Sequence, residues 1–209
     1  VCRLLDIHRT DRLHYLTAMQ TNAFLGTEMY QEVMGKACDS FANGDQTSTM
    51  IRTVKGKTML IQHNVMTPRP YSRMFQVVGT VGYAAKYPVP EVQLSPEMAA
   101  KVGVEMEDNK LPLNASQIET LLNYYAPSFP SETIALAKEL DARGGMSYFM
   151  DLRLAQCLQQ GLSLDMDVYD LAEWCCIAEL SKRSIEQGSM PVMIPDFVNR
   201  RSSVDTESI

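Results

Sequence analysis

The sequence predicts an α+β fold, a mostly antiparallel open sheet with helices packed on one face, and three observations predict it. Segments rich in Thr, Val and Ile crowd the first half, and two of them are separated only by Lys55-Gly56. From residue 95 onward the apolar residues recur at helical spacing. Strands therefore come as one run and helices as another, which argues against repeated βαβ units.

Each element has its own warrant. RLHYLTAMQT (12–21) is an expected strand, bounded by charge before it and Asn22 after it. TEMYQEVMG reads as a short helix ending at Gly35, because glycine is the usual residue just past a helix. QTSTMIRTV (46–54) and KTMLIQHNV (57–65) form a hairpin, with Gly56 supplying the positive φ that a tight turn needs. YSRMFQVVG (71–79) follows the breaker TPRP, and TVGYAAKY (80–87) pairs back on it, giving a sheet of about four to six strands. In 57–65 the two-residue period puts Met59, Ile61, His63 and Val65 on one face and Thr58, Leu60, Gln62 and Asn64 on the other. SPEMAAKVG, NASQIETLLNYY and SETIALAKELDARG then read as helices, each preceded or opened by Ser or Asn. GGMSYFMDLRLAQCLQQG places Met146, Phe149, Met150, Leu154 and Leu158 on one helix face. In DVYDLAEWCCIAELSKRSIEQG, Asp167 is the expected N-cap, Asp170 favours the first turn, and Val168, Leu171, Ala172, Cys175 and Ala178 form the apolar stripe. Residues 1–199 are read as one domain and 200–209 as a polar tail.

Composition narrows the function classes. The 209 residues are 45% hydrophobic and 21% charged, enough to bury a core, and the net charge of −6 leaves no chain-wide basic field for nucleic acid. No run approaches the roughly 18 apolar residues of a membrane span. The opening VCRLLDIHRTDR lacks the layout of a signal peptide and begins without Met, as a processed or truncated chain would; exported and cytoplasmic locations both stay open. The five cysteines form no CxxC pair and no zinc-like spacing with histidine, so no metal site is expected, and Cys157 and Cys175 are expected as buried, inert thiols. There is no GxGxxG between a strand and a helix and no phosphate loop, so the chain is not expected to bind a dinucleotide by itself.

One segment gathers polar chemistry: Gln62, His63, Asn64, Thr67, Arg69, Tyr71, Ser72 and Arg73, stiffened by Pro68 and Pro70. Arg69 and Arg73 suit carboxylate or phosphate oxygens, and Tyr71 suits a sugar hydroxyl. A loop salt-bridged to its own domain is the competing reading for the arginines, a hydrogen-bonded core residue for His63, and a cap on the core for Tyr71. Asp165, Asp167 and Asp170 read as loop and cap residues, Trp174 as packing, and His8 and His14 as weaker candidates still. No Ser-His-Asp or Cys-His arrangement is composed, and no catalytic residue is assigned.

The stretch ACDSFANGDQTSTMIRTVKGKTMLIQHNVMTPRPYSRMFQVVGTVGYAAKYP, then LDMDVYDLAEWCCIAELSKRSI and PVMIPDF, resembles the C-terminal domain of Gfo/Idh/MocA proteins, nearest the NAD-dependent α-N-acetylgalactosaminidases of glycoside hydrolase family 109. The resemblance runs from Val1 to about Asn199, and QHNVMTPRPYSR is its most specific part. It implies a carbohydrate substrate, NAD bound mainly by an N-terminal domain outside this chain, and homo-oligomerisation through the sheet. It also implies an unusual reaction: oxidation at the sugar's C3, proton loss at C2, elimination, water addition and re-reduction. That chemistry does not need paired carboxylates. Tyr71 matches a position facing the substrate in that motif; Arg69, Arg73 and His63 share the motif without a defined role. Where relatives read His-Gly-Gly-Met-Asp, this chain has Arg143-Gly144-Gly145-Met146-Ser147, which points to altered substrate choice or lost glycosidase activity. A plain NAD-dependent sugar dehydrogenase and a catalytically degenerate binding or oligomerisation module are the rival expectations.

Overall fold

The structure is a computed structural model that describes residues 1–37, 41–106, 108, 111–125, 130–141 and 144–198. Arg143 and the tail 200–209, both singled out above, lie outside the described residues, as does Cys38. Among the described residues the chain forms six helices and seven strands, an α+β fold with antiparallel sheets. It divides into two compact units, residues 1–68 with 161–209 and residues 69–160.

The first unit is built on β1 (Leu13–Gln20), β2 (Thr47–Thr53), β3 (Thr58–His63) and β7 (Val192–Met193), in the order β3-β2-β1-β7. The expected hairpin is present: Gly56 turns at φ +87°, and β2 and β3 pair with Ile51 opposite Met59. Asp11 anchors that turn by accepting the Lys55 and Arg12 N–H groups at 3.0 and 2.9 Å. A bulge between Leu13 and Tyr15 shifts the alternation by one residue, so Leu13, Leu16 and Ala18 all face inward. Helix α1 (Phe24–Met34) follows β1 and ends at Gly35 in the left-handed conformation. Its N-terminal N–H groups are capped at a distance by Asp45, which accepts from Phe24, Leu25 and Gly26 at 3.0, 3.1 and 3.0 Å. These bonds hold the Asp45 carboxyl below the ordinary carboxylate range.

Helix α6 (Val168–Glu186) covers one face of this sheet, and Ile7, Leu13, Leu16, Ile51, Met59, Leu180 and Ile194 form the core beneath it. Asp167 caps the helix in a reciprocal box with Asp170, as expected. The apolar stripe does not behave as expected. Val168, Leu171, Cys175 and Ala178 are exposed, and the buried stripe runs through Glu173, Leu180, Ser181 and Ser184. Specific partners make that possible. Ser184 Oγ accepts the Ala18 N–H at 3.0 Å and donates to the Met190 carbonyl at 2.7 Å, while the Ser181 and Thr49 hydroxyls bond at 2.9 Å. Among the described residues of this unit, the opposite face of the sheet exposes Met19, Met50, Leu60 and Met193, and α6 is the helix that packs on the other.

The second unit carries β4 (Gln76–Val78), β5 (Gly82–Ala85) and β6 (Glu91–Leu94) as a separate three-stranded antiparallel sheet. The single four-to-six-stranded sheet expected from the sequence is thus two sheets. Residues 71–75 of the expected third strand are irregular, and β6 and β7 are too short to announce themselves by alternation. Then come α2 (Pro96–Val102), α3 (Ala115–Tyr125), α4 (Ser131–Leu140) and α5 (Met146–Gln160). Ser95 caps α2 by accepting the Met98 N–H at 3.2 Å. Ala99, Val102, Val104 and Leu113 are the small core of this unit. The stripe Met146, Met150, Leu154 and Leu158 on α5 is exposed, while Cys157 is buried as expected. Gly145 is irreplaceable on two counts: its φ is +89°, and a Cβ there would stand 2.8 Å from the Ala137 methyl.

Candidate substrate-contact site

The segment that concentrates polar chemistry in the sequence divides into a structural half and an exposed half. In the first unit, Gln62 donates to the Ser48 hydroxyl at 3.2 Å and Asn64 to the Gln46 side-chain carbonyl at 3.1 Å. Asn64 also accepts from the Thr67 N–H and hydroxyl at 3.2 and 2.8 Å, closing a local turn. These groups are consumed in shaping the chain. His63 ends β3 opposite Thr47 and is exposed, so the reading of it as a core histidine is corrected; it belongs to the first unit.

The exposed half lies in the second unit. Arg69 and Pro70 are exposed and lead directly into Tyr71. Ser72 accepts the Met74 N–H at 2.9 Å and Met74 adopts φ +44°, so the chain bends before entering β4. Across the β4–β5 hairpin, the Lys86 N–H donates to the Phe75 carbonyl at 2.9 Å. That register brings Tyr87 beside Tyr71, edge to face, with ring centroids 5.9 Å apart and planes at 83°. Arg73 Nε donates to the Tyr71 hydroxyl oxygen at 2.7 Å, and Lys86 Nζ lies 5.9 Å from the Tyr87 ring centroid. The bond to Tyr71, helped by the potential of both phenols, raises the Arg73 guanidinium above its ordinary value.

The bonding pattern sets what Tyr71 can do. Its oxygen already accepts from Arg73, so its own O–H remains free to donate, and Arg73 polarises it in that sense. Tyr71 is 72% exposed, which rules out the reading in which it caps the core. Of the four candidate residues, the structure joins Tyr71 and Arg73, sets Arg69 on the same connector, and leaves His63 in the other unit. Sequence reasoning missed Tyr87 and Lys86. The hairpin register from Phe75 to Lys86 was the signal that leads to them.

It also missed a buried charge cluster in the first unit. His8 Nδ1 lies 3.1 Å from Asp170 and its Nε2 2.7 Å from Glu173, whose side chain is only 3% accessible. Burial pushes the Glu173 carboxyl above its ordinary range, against the pull of His8. His8 holds a positive φ of 65°, so the N-terminal segment is bent to deliver the ring. Cys2 and Trp174 are half-buried near this cluster, and burial pushes the Cys2 thiol up. Trp174 therefore packs. Asp165 pairs with Arg3 at 3.6 Å as a loop residue. Cys175 is exposed, which corrects its expected burial. Among the described residues no three of His, Cys, Asp and Glu are grouped to hold a metal ion, and no helix is long and apolar enough to cross a membrane.

The family profile described as "Glycosyl hydrolase 109, C-terminal domain" matches residues 1–203. The chain belongs to glycosyl hydrolase family 109. It is 52% identical over 201 residues to glycosyl hydrolase family 109 protein 1 of Bacteroides fragilis, covering 94% of this chain and 43% of that protein. It is 52% identical over 200 residues to the family 109 protein 1 of Bacteroides thetaiotaomicron, with the same coverage. The family 109 protein of Porphyromonas gingivalis is 50% identical over 200 residues, covering 94% of this chain and 42% of that protein. The chain thus spans less than half the length of these relatives, and this family 109 domain holds both the Tyr71 cluster and the His8–Asp170–Glu173 cluster.

Proposed function

We propose that this family 109 domain is the substrate side of an NAD-dependent glycosidase, with Tyr71 donating a hydrogen bond to a sugar oxygen. The observation that carries the reading is the exposed Tyr71 hydroxyl, engaged as acceptor by Arg73 at 2.7 Å and backed by Tyr87. The chain's own residues bind and orient. Tyr71 and Tyr87 offer ring surface to the apolar face of a sugar, and Arg73 fixes the direction of the phenol proton. Among the described residues no glycine turn joins a strand to a helix: Gly79 and Gly82 lie at the β4–β5 hairpin, and Gly144 and Gly145 join α4 to α5. In this reading NAD, and the redox chemistry at C3 it supplies when bound, belong to residues outside the chain. The Gfo/Idh/MocA architecture of the whole protein is part of the same proposal.

Tyr71→Phe in the full-length protein tests it. Loss of one hydroxyl costs on the order of 1–3 kcal/mol in kcat/KM, with the melting temperature unchanged. An unaltered kcat/KM in a folded variant removes Tyr71 from the site. Aglycone release without net NADH formation separates the glycosidase from a plain sugar dehydrogenase.

A second role is favoured by the uncovered sheet face. Thr17, Met50 and Leu60 stand in register across β1, β2 and β3, flanked by exposed Met19 and Met193. A second copy of the chain docking there would bury this apolar surface. Met50→Glu would then shift the protein toward a smaller species in sedimentation, and an unchanged mass would dismiss this face as the interface.

A further inference from the structure

The Tyr71 cluster has a charge character that a neutral sugar does not require. The protein carries 25 acidic and 19 basic residues, yet from Gln46 to Pro90 it contains Arg52, Lys55, Lys57, Arg69, Arg73 and Lys86 and no aspartate or glutamate. Arg69, Arg73 and Lys86 fall in the second unit on the connector and hairpin that form the cluster. Among the described residues none of them has an ion-pair partner. The nearest carboxylate along the chain, Glu91, sits across the β5–β6 ladder from Ala85 and forms no pair with Lys86. Unpaired Arg73 and Lys86 beside the exposed Tyr71 ring and the half-buried Tyr87 ring, with Arg69 two residues before Tyr71, make a surface that accepts a ring on its face and an anion at its rim.

We infer that the sugar bound at Tyr71 carries a negative group, a carboxylate or a sulfate ester, and that Arg69, Arg73 and Lys86 recognise it. This rests on the proposal that Tyr71 faces the sugar, and it adds the substrate class. Arg73 keeps its outer guanidinium nitrogens available, because Nε alone is engaged by Tyr71, and a planar fork suits both carboxylate and sulfate oxygens. Lys86, whose Nζ lies over the Tyr87 ring at 5.9 Å from its centroid, supplies a second point charge beside the ring pair. The site is open, so salt screens it, and the preference is a matter of selectivity rather than tight binding.

The test is a titration of the full-length protein with matched probes: galactose against galacturonic acid, and N-acetylgalactosamine against its 6-sulfate. The anionic member of each pair should bind about five- to tenfold more tightly at about 20 mM salt, and the gap should close by about 300 mM. Lys86→Gln and Arg69→Gln should each lower the anionic-to-neutral ratio at least twofold. Equal affinities within both pairs, or no detectable binding of any probe, would overturn the inference. So would a ratio that the two variants leave untouched, and so would equal binding of a short oligothymidylate, which marks a general polyanion surface. Tyr71→Phe separates the two claims. If it weakens both members of a pair while their ratio is near one, the Tyr71 reading stands and the charge class is wrong. If it weakens neither while the ratio stays high and sensitive to Lys86, the anion surface stands and the sugar is not at Tyr71.

Discussion

The two units solve the same problem, covering a small antiparallel sheet, in different ways. In the first, α6 lies on the sheet and seals a core reaching from Ile7 to Ile194, with Ser181 and Ser184 admitted against the partners Thr49 and Ala18. In the second, the buried cluster is four residues on the α2 side of the sheet, and the apolar stripe of α5 faces outward. Apolar content alone did not decide which stripe was buried. On α6 the side carrying Glu173, Ser181 and Ser184 went inside because His8, Thr49 and Ala18 meet those groups. The difference between the units is one of partnered polar groups as much as of hydrophobic area.

The comparison can be broken most severely at Leu16, which is wholly buried under α6. Leu16→Ala should cost about 2–5 kcal/mol in chemical denaturation, whereas Leu154→Ala on the exposed stripe of α5 should stay within about 1 kcal/mol. Equal costs at the two sites would mean that the stripe of α5 is covered in solution.

His8 sharpens the point about partners. His8→Ala leaves the buried Glu173 carboxyl and its neighbour Asp170 without their imidazole partner and should cost roughly 3 kcal/mol near neutral pH. Burial already raises the Glu173 carboxyl, and losing His8 raises it further, so the folded variant binds a proton more readily than the unfolded chain. Stability of the variant therefore rises as pH falls from neutrality toward about 4.3, where the unfolded carboxyl titrates too. A deficit that does not narrow over this range would show that the cluster's charge is not what holds it.

The smallest effect is expected at Asp45. Asp45→Asn should lower the melting temperature by a few degrees, because the amide keeps a single acceptor oxygen where the carboxylate uses one oxygen for the Phe24 and Leu25 N–H groups and the other for Gly26. Since the folded carboxyl is held below its ordinary value, the parent has this stabilisation above about pH 4 and loses it as pH falls further. The gap between parent and variant should close in acid. A gap that persists there would assign the effect to packing.

What the sequence made legible follows from which signals are local. The β2–β3 hairpin, the caps at Ser95 and Asp167, and the stop at Gly35 depend on residues a few positions apart, and all are present. The α6 stripe was misread because its true partners, His8, Ala18 and Thr49, are more than 130 residues away and nothing nearby announces them. The candidate site was half legible. The connector with Tyr71 and Arg73 stood out as a concentration of polar groups, but Tyr87 and Lys86 join it only through hairpin register.

The first unit is assembled from the two ends of the chain, with the whole of 69–160 between them. The bond from Ala18 to Ser184 closes a separation of 166 residues, so a chain emerging from the ribosome must hold the bare β1–β2–β3 sheet until α6 has been made. While residues 69–160 are being added, that sheet lacks α6. The inserted unit, by contrast, has all of its own segments in hand before Gly161 is added. The order of birth of the two units is therefore the reverse of their order along the chain, and it is during that wait that the nascent protein is most exposed to mispairing at its unfinished sheet.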